Sequence, residues 1–256
     1  RTAHSGKEVS AVSGDWVIAD NTVAALSSDR TVTLPDGLKP RSLFGEAGGD
    51  CVVGTSEAHL FELGTGEPER VETFDDILGR WAWSTPWGGP PDTRSISRYK
   101  GNLLVNVHVG GLWRAEEDAW LEAISPEPDI HQVVASDDAD VIAVAAGDGV
   151  GQSDDGGKTF TWSAEGLIAP YARAVTISGD WLLVSASTGP GANCGSVYRR
   201  PLDSPDKPFE TVGGHGDLPK LFSFNVDTFE LTAAGEMVAL GTPTGDLYLS
   251  EDSGDS

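Results

Sequence analysis

Four residues able to grip an anion stand at matching places in the sequence. Arg41, Arg94, His131 and Arg173 each open a run of alternating apolar residues, where other runs carry Glu8 or Val9 and Leu221 or Phe222. A planar guanidinium donates two parallel hydrogen bonds to a carboxylate or phosphate, so several brought to one place form an anion trap. Such a trap would be unexpected here, because 17 Lys and Arg face 40 Asp and Glu. His108, Trp87 and Asp92 lie close to Arg94 in sequence and join the candidate binding set. Trp81 and Trp83 crowd the same stretch, and aromatic rings beside polar groups line many sites for sugars. The competing reading is that each arginine closes an ion pair inside the fold, with Asp92 beside Arg94 and Asp129 beside His131. In that reading at least two of the three tryptophans pack in the core. His108, His131 and His215 with Asp92 or Asp217 are the metal set to weigh, but their spacing is long and irregular, and no metal or other cofactor is expected.

The elements that must position these residues form a repeat. Period-2 runs of Val, Ile, Leu and aromatic residues, each closed by a Gly or Asp turn, give six units starting near residues 9, 41, 94, 131, 173 and 222. In the clearest unit the pattern predicts strands over 132–135, 141–145, 150–153 and 159–162. Four short strands per unit, none able to bury its faces alone, point to an all-β β-propeller of about six four-stranded antiparallel blades, with 1–256 as one domain. His108, Asp148 and Asn193 then fall at comparable turns after a second strand, and His215 with Asp217 falls in the loop before Leu221.

Ser153-Asp154-Asp155-Gly156-Gly157-Lys158-Thr159-Phe160 spells a tight hairpin. Asp155 can accept from the turn amides, Gly157 can take a left-handed backbone, and Phe160 is expected to plug the space between blades. Ser250, Asp252 and Gly254 repeat it, and the sixth unit reaches Ser256 where its aromatic falls due, so the last blade is expected to be short. Arg114-Ala115-Glu116-Glu117-Asp118 to Trp120 is a decayed third copy. The motif resembles the Asp-box of BNR-repeat propellers, and the blade pattern extends that resemblance over nearly all of the chain. The resemblance implies that Ser153, Asp155, Gly157, Phe160, Ser250, Asp252 and Gly254 are structural, on the face opposite the ligand site. On the other face, Arg41, Arg94, His131 and Arg173 would ring the mouth of a central channel.

The same family includes sialidases, which use an arginine triad, a Tyr nucleophile paired with Glu, and an Asp. Arg41, Arg94 and Arg173 with Tyr171 match part of that set, while the Phe-Arg-Ile-Pro type opening motif is absent. The expected function is therefore a noncatalytic ligand- or protein-binding propeller, holding a small anionic or carbohydrate ligand, or a protein partner, on the loop face. A sialidase-like glycoside hydrolase is the alternative. A formal charge of -23 argues against nucleic acid and anionic membranes. A monomer with two free thiols, Cys51 and Cys194, is expected. With only short, interrupted apolar runs and no leader pattern, the reading favours a soluble protein, in the cytoplasm over the secreted space.

Overall fold

The computed structural model describes residues 9–46, 49–214 and 216–256. They form two compact units, one of the described residues up to Ser97 with Gly101–Glu127, the other of Arg98–Lys100 with Pro128–Ser256. Almost all regular structure is antiparallel sheet, with sequential strands as neighbours. Sheet 1 contains β1 (Val9–Ser13), β2 (Trp16–Ala19), β3 (Thr22–Ala25) and β4 (Thr31–Val32). Sheet 2 contains β5 (Pro40–Gly45), β6 (Cys51–Thr55), β7 (Leu60–Leu63) and β8 (Glu69–Arg70). Sheet 3 contains β9 (Thr93–Tyr99), β10 (Asn102–Val107), β11 (Gly111–Glu116) and β12 (Ala119–Ile124). In the second unit, sheet 4 contains β13 (Ile130–Ser136), β14 (Val141–Ala146), β15 (Gly149–Ser153) and β16 (Thr161–Ser163). Sheet 5 contains β17 (Tyr171–Ser178), β18 (Trp181–Ser187), β19 (Gly195–Pro201) and β20 (Glu210–Thr211). Sheet 6 has three strands among the described residues, β21 (Leu231–Ala234), β22 (Met237–Gly241) and β23 (Leu247–Ser250).

The second strands explain the order. β14 reads Val-Ile-Ala-Val-Ala-Ala and is buried on both faces, which suits a continuous apolar run sandwiched between neighbours. The outer strands β4, β8, β16 and β20 are short and exposed by comparison, whereas β12 is as long as β10. Between sheets 4 and 5 the core is Ala143, Ala145, Val150, Val175, Leu182, Val184 and Phe209. Between sheets 5 and 6 it is Leu183, Val197, Val212, Phe222, Val226, Leu231 and Leu240.

In the first unit the backbone of sheet 2 meets sheet 3 so closely that a Cβ on Gly54 would lie 2.4 Å from Thr93, so only glycine fits there. A short helix, α1 (Glu72–Asp75), carries the fully buried Phe74 against Trp120 at 4.8 Å and Trp83 at 5.8 Å between ring centres. Trp83 is therefore core. Trp81 and Trp87 are 88% and 74% exposed, so one of the three tryptophans packs inside and the expectation of at least two does not hold. Cys51, in β6, is fully buried, and burial pushes its thiol up to about 12. Cys194 precedes β19 and is half-buried, and neither thiol is in a disulfide.

Sheet 4 runs close to its sequence reading, whereas sheet 6 does not begin at Phe222. That residue exchanges backbone hydrogen bonds with Gly195 at the start of β19, and the first strand of the sheet comes later, at Leu231. The two hairpins have one hydrogen-bond scheme. Ser153 Oγ donates to Asp155 Oδ1 and accepts from Gly157 N–H at 2.9 Å, and Asp155 Oδ1 accepts from the Lys158 and Thr159 amides at 3.0 Å. Ser250 Oγ accepts from Gly254 N–H at 2.8 Å, and Asp252 Oδ1 accepts from the Asp255 and Ser256 amides at 3.0 Å. The hydroxyls of Thr159 and Ser256 each donate to the second carboxylate oxygen at 2.7 Å. These bonds, led by Thr159 for Asp155 and by Ser250 for Asp252, hold both carboxyls well below the usual carboxylate range. Gly157 and Gly254 take φ of 82° and 80°. Phe160 is half-buried and lies in the hairpin ahead of β16, whose Trp162 lies over the bare Gly151. The third copy has become a two-residue turn, Glu117-Asp118, braced by an Arg114–Glu116 ion pair.

Among the described residues no helix is long and apolar enough to cross a membrane.

Candidate functional site

In the first unit four of the sequence candidates meet. Arg94 is the second residue of β9, and His108 follows β10, where its amide donates to the Asp92 carbonyl at 3.0 Å and ties the incoming loop to the turn. The His108 ring is buried, with Arg94 Nη1 2.9 Å from Nε2 and Asp92 Oδ1 3.3 Å from Nδ1. A guanidinium can only donate, so Nε2 accepts and the ring proton sits on Nδ1, toward the Asp92 carboxylate. Trp87 stands edge-on to the ring at 5.2 Å and 82°. It sits at the tip of a small turn closed by Gly88 N–H to the Thr85 carbonyl at 2.9 Å and by Gly89 N–H to Thr85 Oγ1 at 2.9 Å. An exposed indole thus stands over a buried imidazole gripped on one edge by a cation and on the other by a carboxylate. Such a set can stack on an apolar ring face while donating to, and accepting from, its substituents. Arg41, second in β5, is exposed in the same unit.

In the second unit His131 and Arg173 are linked through Tyr171. His131 is fully buried, and its Nδ1–H donates to the Ala172 carbonyl at 2.5 Å while Nε2 lies 3.5 Å from Asp129 Oδ2. Tyr171 packs edge-to-face on that ring at 4.8 Å, and the Arg173 guanidinium lies 5.8 Å from the Tyr171 ring centre. Arg173 Nη2 pairs with Asp227 Oδ1 at 2.7 Å. The Asp227 amide donates to Glu230 Oε2 at 2.6 Å, and burial pushes the Glu230 carboxyl above its ordinary value. Asp227 and Glu230 are members of this cluster that sequence reading did not select. The available signal was the Asp-x-x-Glu spacing after Val226, which lies inside a segment whose alternation imitates a strand.

Asp148, Asn193 and Asp217 are exposed, and Glu8 and His215 lie outside the described residues. No group of three His, Cys, Asp or Glu side chains suited to a metal occurs among the described residues.

Comparison with known proteins supports the fold alone. YCF48 from Cyanidioschyzon merolae matches with a TM-score of 0.67 at 16% identity, covering 100% of this chain and 85% of that one. The GH74 enzyme of Niastella koreensis matches with a TM-score of 0.67 at 11% identity, over 97% of this chain but 45% of that one, so the chain spans less than half of that enzyme. The β-propeller domain of Cps50 (Swd1) from Myceliophteria thermophila matches with a TM-score of 0.59 at 10% identity over 95% of this chain and 83% of that one. No family model matches the sequence, and no curated protein does. Six successive antiparallel sheets and these neighbours define the class: the protein is an all-β, six-bladed β-propeller.

Proposed function

We propose that this propeller is a noncatalytic binding protein whose site is the Trp87, Asp92, Arg94 and His108 cluster, taking a small carbohydrate that carries a carboxylate. The observation that carries this reading is the exposed Trp87 ring standing over the buried, bracketed His108. An exposed indole offers a platform for the C–H face of a sugar, and Arg94 supplies the cation for its acid group. Calorimetric titration with a panel of uronic and sialic acids and their neutral counterparts tests it. Acidic sugars are expected to bind and neutral ones to bind at least tenfold more weakly. Trp87→Ala and Arg94→Lys should each weaken the acidic sugars by about tenfold, which corresponds to ~1.4 kcal/mol. Indifference of the panel to both substitutions would remove the site.

Sialidase-like hydrolysis is the second reading, favoured by the placing of Tyr171, Arg173 and Asp227 in one cluster with the Glu230 carboxyl, whose pKa is raised. A carboxyl displaced upward holds its proton to higher pH than an ordinary Glu, as a general acid must. A fluorogenic sialoside assay decides it, since turnover no faster than buffer retires the enzyme.

A further inference from the structure

Asp75 gathers more cationic groups than one carboxylate neutralises. It closes α1 in the first unit, where Oδ1 lies 2.7 Å from His59 Nδ1 and 3.3 Å from Arg80 Nη1, and Oδ2 lies 3.4 Å from Arg70 Nε. The two arginines are held differently. Arg80 Nη1 donates to the Phe74 carbonyl and Nη2 to the Ala58 carbonyl, each at 3.1 Å, and the guanidinium lies 5.0 Å from the Trp83 ring centre, so this residue braces the fold. Burial pulls its pKa below the ordinary value, against Asp75 and together with Arg70, so the two guanidiniums feel each other. Arg70, in the outer strand β8, has a side chain 31% exposed, and its Nε meets Asp75 without hydrogen-bond geometry. Among the described residues neither Nη nitrogen of Arg70 has a hydrogen-bond partner.

His59 is aimed by the turn ahead of β7. Its amide donates to Thr55 Oγ1 at 3.2 Å, its carbonyl accepts from the Thr55 amide at 3.0 Å, and Glu57 and Ala58 between them take left-handed backbones, with φ of 65° and 55°. Asp75 accepts from Nδ1–H, so in the neutral ring Nε2 is the acceptor. Among the described residues nothing hydrogen-bonds to that nitrogen. Donors from Arg70 and an acceptor from His59, anchored on one carboxylate, suit a group that accepts and donates at once. A phosphate monoester does both, because its second proton titrates at about pH 6. Its P–O–H can donate to Nε2 while its other oxygens accept from the guanidinium fork. Sulfates and carboxylates hold no proton near neutral pH. Exposed Glu57, Glu69, Glu72 and Asp76 stand beside these residues in the sequence, and the chain carries a charge of -23. A polyanion or an anionic bilayer is therefore repelled, whereas a single phosphate is neutralised locally.

We propose that Arg70 and His59, held by Asp75 and Arg80, form a phosphate site that takes the phosphate monoester of a small free molecule. This site is separate from the Trp87 cluster, and its probes carry no carboxylate, so its test reads nothing from the sugar panel.

The probes are inorganic phosphate and glucose 6-phosphate, with sulfate and glucose as counterparts, titrated at pH 7 into the full chain labelled with nitrogen-15. Saturable movement of the His59 Nε2 resonance by both phosphates at millimolar concentration is expected, with sulfate about fivefold weaker and glucose without effect. Arg70→Gln and His59→Gln should each weaken glucose 6-phosphate by about tenfold in calorimetry. Should either variant fail to fold, the His59 resonance of the unmodified protein decides. The proposal is overturned if that resonance stays still at tens of millimolar phosphate and glucose 6-phosphate, if binding survives Arg70→Gln, or if sulfate binds as tightly as phosphate. A phosphoserine peptide or a phosphatidate vesicle that moves the same resonance at concentrations tenfold below glucose 6-phosphate would overturn the small-molecule source.

Discussion

Arg94 and Arg173 occupy nearly the same place, close to the start of β9 and of β17, yet they are satisfied in different currencies. Arg173 is held charge to charge, 2.7 Å from the Asp227 carboxylate, with Glu230 behind it. Arg94 is held charge to ring, 2.9 Å from the His108 nitrogen, with Trp87 exposed alongside. The contrast teaches that position in the repeat does not decide an arginine's role. What the neighbouring loop brings does: 225–230 delivers two carboxylates, whereas 85–92 delivers an indole and one carboxylate. The ion-pair reading of the arginines therefore describes Arg173 well, while Arg94 adds a contact to a buried ring beside an exposed indole.

The largest expected effect on this contrast comes from breaking the stronger pair. Arg173→Ala should destabilise the protein by about 1–3 kcal/mol in urea unfolding, because Asp227 loses its cation beside Glu230. A double-mutant cycle with Asp227→Ala should recover a coupling that shrinks as salt rises, since the carboxylate is 46% exposed and open to screening. The Arg94–His108 coupling, made to an uncharged acceptor nitrogen, should hardly respond to salt, and equal salt slopes for both cycles would erase the distinction. Next comes Glu230→Gln. A carboxyl whose folded pKa is raised stabilises the fold below its unfolded value, ordinarily 4.5, and that stability is lost as pH rises through the folded value. The parent should therefore lose melting temperature as pH climbs from that ordinary value, and Glu230→Gln should flatten the decline and melt higher near neutral pH. A variant that tracks the parent at every pH would show that Glu230 feels no burial. The smallest effect is on stability in Trp87→Ala, which should stay within about 0.5 kcal/mol of the parent because so exposed a ring packs against little. A larger loss would make Trp87 a structural residue and weaken its role as platform.

Much of the fold was legible because burial on both faces forces a recognisable sequence. The Val141–Ala146 run, the Gly147–Gly149 turn and the Ser153–Thr159 hairpin leave little freedom, and the observed strands follow them closely. Legibility failed at 222–230. Phe-Ser-Phe-Asn-Val alternates as a strand does, yet Phe222 and Val226 are buried against sheet 5 from a loop, while β21 carries the weaker pattern Leu-Thr-Ala-Ala. Alternation reports which side chains are buried and not which backbone groups pair. The same misreading hid Asp227 and Glu230. Asp92, Arg94 and His108 were legible as neighbours because a hairpin brings the ends of β9 and β10 together. That Trp83 packs while Trp81 and Trp87 do not is set by the turn around Thr85 and by Phe74, which no periodicity encodes.

The burial of Cys51 has a practical consequence. A thiol fully enclosed in β6, with its pKa pushed up to about 12, is almost never a thiolate near neutral pH and reacts with alkylating reagents only when its surroundings open. Cys194, half-buried in the other unit, should label first and leave Cys51 as a slow clock. The rate at which that second label arrives would time the opening of the first unit by itself. Set against the global unfolding rate, it would reveal whether the two units unfold in one step or two.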